Sequence, residues 1–158
     1  GAEFVTPIRF SCRASLPLAP HVIAEQILDT SNWTEFSGYG FLPGIRSAEF
    51  EIKTPEVVGS RIAVENTDGS RHVEEITEWI PASRIALQMK EFSAPLSRLA
   101  TRIDETWEFQ QMESGTRLVR TFQLTACSFL TRPFLWVISK FLRRAVERHL
   151  QQMVDASS

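Results

Sequence analysis

The sequence predicts an α+β domain in which an antiparallel sheet packs against one long C-terminal helix. Six apolar-alternating segments succeed one another between residues 46 and 126, an apolar stripe with helical spacing follows over residues 132–154, and no glycine interrupts that helix. A sheet and a helix that each bury one face enclose a space where a small molecule fits. With 158 residues and 43% hydrophobic content, the chain is long enough for one core and short for two.

In chain order, Ile8, Phe10, Cys12 and Ala14 alternate with Arg9, Ser11, Arg13 and Ser15, which predicts a first strand that Pro17 and Pro20 end. Residues 21–28 carry Val22, Ile23, Ile27 and Leu28 at helical spacing, and residues 32–36 predict a second short helix bearing Trp33. Gly38, Gly40, Pro43 and Gly44 then break the chain around Tyr39 and Phe41, an aromatic loop that suits either the mouth of a pocket or ordinary anchoring.

A two-residue turn at Asp68-Gly69 sets Val64 opposite Val73 and Ile62 opposite Glu75, so that Val73, Glu75, Thr77 and Trp79 face inward along residues 72–80. The same register turns His72 outward, opposite Glu65. Ile85, Leu87 and Met89 alternate along the next strand. A second two-residue turn at Ser114-Gly115 sets Phe109 opposite Arg120, Trp107 opposite Phe122 and Glu105 opposite Leu124. The last helix has Thr131 as a candidate N-cap and Pro133 in its first turn. Its inner face is Leu135, Ile138, Leu142, Ala145, Val146, His149, Leu150 and Met153, flanked by Phe134 and Phe141.

A net charge of −2 provides no basic field for nucleic acid, and the basic residues of the last helix, such as Arg143 and Arg144, read as a solvated face. Cys12 and Cys127 are too few for a zinc framework and point to opposite faces by strand alternation, so a disulfide is not expected and a cytoplasmic location fits. No apolar run approaches the roughly 20 residues of a membrane span. The opening Gly-Ala-Glu-Phe lacks a Met, so residues 1–4 read as a cloning remnant before a single domain over residues 5–156. Neither a metal nor a cofactor is expected: the three His lack ligand spacing, and no nucleophile elbow, phosphate-binding glycine loop or dinucleotide fingerprint occurs.

The element order, Asn32-Trp33 after the first helix, the run Val73-Glu74-Glu75-Ile76-Thr77-Glu78-Trp79-Ile80-Pro81 followed by Arg84-Ile85, and Gly115-Thr116-Arg117-Leu118 in the last hairpin carry a family resemblance. Together they resemble the helix-grip (SRPBCC, START-like) superfamily, which includes START lipid-transfer domains, birch-pollen-allergen-like proteins and, closest, bacterial polyketide cyclase/dehydrase-like proteins. The resemblance implies a seven-stranded antiparallel sheet curled around the terminal helix, two short helices after the first strand and an apolar cavity. It carries no universal catalytic set.

Four polar groups fall at predicted inward positions: Glu75, Glu105, Arg120 and His149. Each needs a partner, a ligand or water, because buried charge is costly alone. Glu75, among Ile62, Val73 and Met89, is either a desolvated acid or base or a carboxylate reaching solvent at the rim. His149 is either a proton carrier or a satisfied core histidine. Glu105 and Arg120 are too far apart in this register to be direct neighbours, and Arg120 either anchors a ligand or stacks on Trp107 or Phe109. The expected binding surface is Tyr39, Glu75, Thr77, Trp79, Met89, Glu105, Trp107, Arg120, Phe122, Ile138, Leu142 and His149. The reading is a carrier or sensor for a small or medium apolar ligand. The alternatives are a cyclase- or dehydratase-like enzyme using Glu75 or His149 with Arg120, and an interaction module. Phe134, Trp136 and Val137 offer an apolar patch for a homodimer or a transient membrane contact.

Overall fold

The computed structural model describes residues 5–158. The reading of residues 1–4 as a cloning remnant lies outside the described residues. Seven strands form one antiparallel sheet: β1 (Ile8–Leu16), β2 (Ile45–Ile52), β3 (Arg61–Asn66), β4 (Arg71–Ile80), β5 (Arg84–Lys90), β6 (Ala100–Met112) and β7 (Gly115–Ala126). Their spatial order is β1-β7-β6-β5-β4-β3-β2, so only β1 leaves its sequence neighbour, to pair with β7. Helix α1 (Pro20–Leu28) and a 3-10 turn (Thr30–Glu35) follow β1, and helix α2 (Arg132–Ser157) ends the chain and lies on β1. This is the helix-grip fold.

Side chains alternate as the pleat requires, and the concave face collects the core. Phe10 and Phe122 stack there with centroids 5.1 Å apart, on the neighbouring strands β1 and β7. Leu135, Val146 and Leu150 seal α2 onto this face, while Arg144 and Glu147 point to solvent. The helical stripe read from the sequence is therefore the buried one, except that Phe134 is 65% exposed.

Two registers differ from expectation. At the β3–β4 hairpin, Ile62 pairs with Glu74 and Val64 with His72, one residue away from the expected pairing. The loop has three residues, closed by Asn66 N–H to Ser70 O and by Gly69 N–H to Asn66 O, and Gly69 has φ +87°. That is a type I turn followed by a left-handed residue, a three-residue hairpin in place of the expected two. The slip reverses the strand: Glu74 and Ile76 face inward, Glu75 outward, and His72 inward. A bulge at Thr77 then inserts one residue, so Trp79 returns to the concave face opposite Ile85. At the β6–β7 hairpin the two-residue loop is Glu113-Ser114, with Met112 opposite Gly115. That shift is two residues and preserves the faces. It pairs Trp107 with Arg120 and Glu105 with Phe122.

Candidate functional site

A cavity of about 510 Å³ lies between the concave sheet and the helices. Its apolar wall comes from Ile23 and Ile27 of α1, Trp33 and Phe36, the strand residues Leu87, Met89, Ile103, Trp107 and Phe122, and Ile138, Leu142 and Met153 of α2. The Trp33 indole N–H donates to Ile27 O at 2.9 Å, which leaves its ring face as plain apolar wall. Phe41 and Leu42, from the glycine-rich loop, reach the lining as well.

Into this wall the sheet sets a polar cluster. Arg120 Nε donates to Glu105 Oε2 at 2.8 Å, and its Nη2 lies 2.5 Å from the same oxygen. The guanidinium sits 4.2 Å from the Trp107 ring centroid and donates through Nη1 to His149 Nδ1 at 2.9 Å. Glu105 and Arg120, 3% and 5% exposed, meet because the two-residue shift places them on adjacent strands at diagonal positions. The expectation that they are too distant for contact is thus corrected. A guanidinium only donates, so His149 must accept at Nδ1 and carry its proton on Nε2. Burial and the adjacent Arg120 lower the His149 pKa to about 3. Burial pushes the Glu105 carboxyl up, aided by nearby Glu74 and opposed by Arg120.

A second polar pair completes the cluster. His72 Nε2 lies 2.9 Å from Glu74 Oε2, and Asn66 Nδ2 lies 3.4 Å from His72 Nδ1. Both His72 and Glu74 line the cavity, in positions that the expected register assigns to the outer face. The signal that could have found them was local: Asn66-Thr67-Asp68-Gly69 fits a type I turn with glycine next, which adds one loop residue.

Of the residues expected to bind, Met89, Glu105, Trp107, Arg120, Phe122, Ile138, Leu142 and His149 line the cavity. Four do not. Glu75 lies on the convex face, where Lys90 Nζ donates to it at 2.8 Å, so it is not a desolvated acid. Thr77, the bulged residue, lines a polar depression on that same outer face. Trp79 is concave but packs on the core and does not line the cavity. Tyr39 packs its ring at a tilt of 52° against Phe141 of α2 and under the Arg148 guanidinium. Among the described residues no three His, Cys, Asp or Glu side chains gather as a metal site requires. Cys12 and Cys127 are both free thiols.

Fold and site together define a helix-grip domain enclosing an apolar cavity with buried polar groups. No family model matches the chain, and no curated protein matches its sequence. Solved structures do share the fold. The di-domain ARO/CYC StfQ from the steffimycin biosynthetic pathway matches with a TM-score of 0.72 and 13% identity, covering 96% of this chain and 51% of that one. TTHA0849 from Thermus thermophilus matches with a TM-score of 0.69 and 19% identity, covering 96% and 99% of the two chains. Ginseng major latex-like protein 151 from Panax ginseng matches at 0.65 and 11%, covering 94% and 99%. The fold is thus the one that these solved proteins share.

Proposed function

We propose that the protein binds a small or medium apolar molecule with a few polar atoms, as a carrier or sensor. The observation that carries this reading is the cavity itself: about 510 Å³, within the range of roughly 300–1,000 Å³ usual for small-molecule sites, with a largely apolar wall and convergent buried polar groups. Neighbours of the same fold include ARO/CYC proteins and a latex-like protein, which is compatible with such a use. Binding is favoured over proton transfer because the expected proton carriers are unsuited to it. Glu75 lies outside, and a His149 imidazole held at about 3 is a poor base near neutral pH. Its Nε2–H is instead a fixed donor for a ligand oxygen.

The test is a titration with Nile red, a neutral apolar dye. Saturable one-to-one binding is expected, with Trp107→Ala weakening it more than Glu147→Ala while stability is followed alongside. Absence of saturable binding to the wild type overturns the reading.

A second reading rests on a different observation. Phe129, Leu130, Phe134, Trp136 and Val137 are all exposed around the start of α2, with the Lys140 ammonium 4.5 Å from the Trp136 ring centroid. This corner is a surface for self-association or transient membrane contact. Light scattering of the wild type beside Trp136→Glu, and sedimentation with liposomes, test it. A monomer that ignores liposomes removes it.

A further inference from the structure

We infer that the polar end of the cavity's ligand is a positively charged hydrogen-bond donor, a protonated amine on an apolar body. This deepens the binding reading above and rests on it. Four carboxylates line the cavity against one guanidinium: Glu35 and Asp68 are exposed at its mouth, Glu74 and Glu105 are buried in its wall, and Arg120 is the single Arg or Lys.

Arg120 is already engaged. Its donors face Glu105 Oε2 and His149 Nδ1, and one face of its plane lies on Trp107. A ligand carboxylate could claim it only by displacing Glu105 and leaving that carboxyl unpaired in the wall, which is costly.

Glu74 is in the opposite condition. It is 5% exposed, and its Oε2 accepts from His72. No hydrogen bond from the described residues reaches its Oε1, and no Lys or Arg among them makes an ion pair with it. Since no fully buried side-chain oxygen or nitrogen among the described residues lacks a partner, that oxygen keeps some accessible surface, and Glu74 is a residue of the cavity wall. What completes a carboxylate is a donor, and a charged N–H completes it best. An anionic ligand meets repulsion from the same carboxylates, so the wall selects for cations and against acids of equal apolar area.

The experiment compares three probes with one naphthyl body, naphthylethylamine, naphthylethanol and naphthylacetate, by calorimetry near neutral pH. The amine is expected to bind about tenfold tighter than the alcohol, and the acetate weakest. Glu74→Gln should erase the amine's advantage and leave the alcohol within about twofold, whereas Glu75→Gln, one residue away on the outer face, should leave the ranking intact. An acetate that matches or exceeds the amine overturns the inference, and so does an amine advantage that survives in folded E74Q. If E74Q does not fold, the wild-type ranking decides alone. An alcohol that binds without any preference for the amine sinks this inference only; failure of all three probes sinks the binding reading with it.

Discussion

His149 is neutral because burial and the Arg120 charge act in one direction, lowering its pKa from 6.5 to about 3. A folded value below the unfolded one means that the unfolded chain takes up the proton first. The stability is full above about pH 6.5 and is lost as the pH falls toward 3, at about 1.4 kcal/mol per unit. Urea titrations at pH 7.5 and 5 should show the wild type losing about 2 kcal/mol more than His149→Gln, which keeps an acceptor for Arg120 without titrating. Equal losses would mean the imidazole is not held neutral. Glu105 has the opposite sign: its raised pKa weakens the fold as pH rises above its ordinary 4.5, and this is common to both proteins in that comparison. The pair it forms is expected to show strong coupling. Arg120→Met should cost about 3–5 kcal/mol by stranding a buried carboxylate, and adding Glu105→Leu should recover much of that loss. Additive losses would show that the pair is not coupled. The residue types in this cluster were legible in the sequence, since Glu105, Arg120 and His149 all fell at inward positions. Their contact was not, because a two-residue shift in strand pairing leaves facing unchanged while it changes who meets whom.

Among the elements, the hairpins set those pairings, and two glycines act in different ways. Gly69 has φ +87° with nothing near an added Cβ, so Gly69→Ala should cost only the left-handed penalty, about 1–2 kcal/mol. Gly115 has φ +144°, and an added Cβ would collide with the Leu16 backbone at the end of β1. Gly115→Ala should therefore cost more and disturb β1 pairing, visible as faster amide exchange along β1; unchanged exchange would contradict this. In α2, Leu135 is fully buried outside the cavity lining, whereas Leu142 faces the cavity. Both truncations to Ala should fall within about 2–5 kcal/mol, Leu135 the costlier, and Arg144→Ala within about 0.5 kcal/mol. A Leu142 cost equal to that of Leu135 would argue against open space beside it. The helix stripe and the strand alternation were readable because each repeats many times, so single exceptions do not hide the period. The face of β4 was not, because one loop residue inverts a whole strand and the bulge at Thr77 inverts it back.

In the molecule as a whole, the cavity is what sheet and helix leave unfilled, and occupation should stabilise the fold. A ligand at about 100 times its Kd should raise unfolding stability by about 2.7 kcal/mol, read as a rise in Tm on adding saturating Nile red or naphthylethylamine. Unchanged Tm at saturation would mean that the probe sits on the surface. No helix of the described residues is long and apolar enough to cross a membrane. The sequence by itself determined the class of fold, the order of its elements and the helix face that is buried, because these follow from local period and turn residues that act within a few positions of themselves. Only the tertiary structure decided that Glu74 and His72 face the cavity, that Glu75 does not, and that Arg120 joins Glu105 to His149. Those outcomes depend on loop lengths and strand registers that bring Arg120 into contact with Glu105, 15 positions away, and with His149, 29 positions away. No local pattern records such a distance, since the energy that selects the register comes from packing the whole concave face at once.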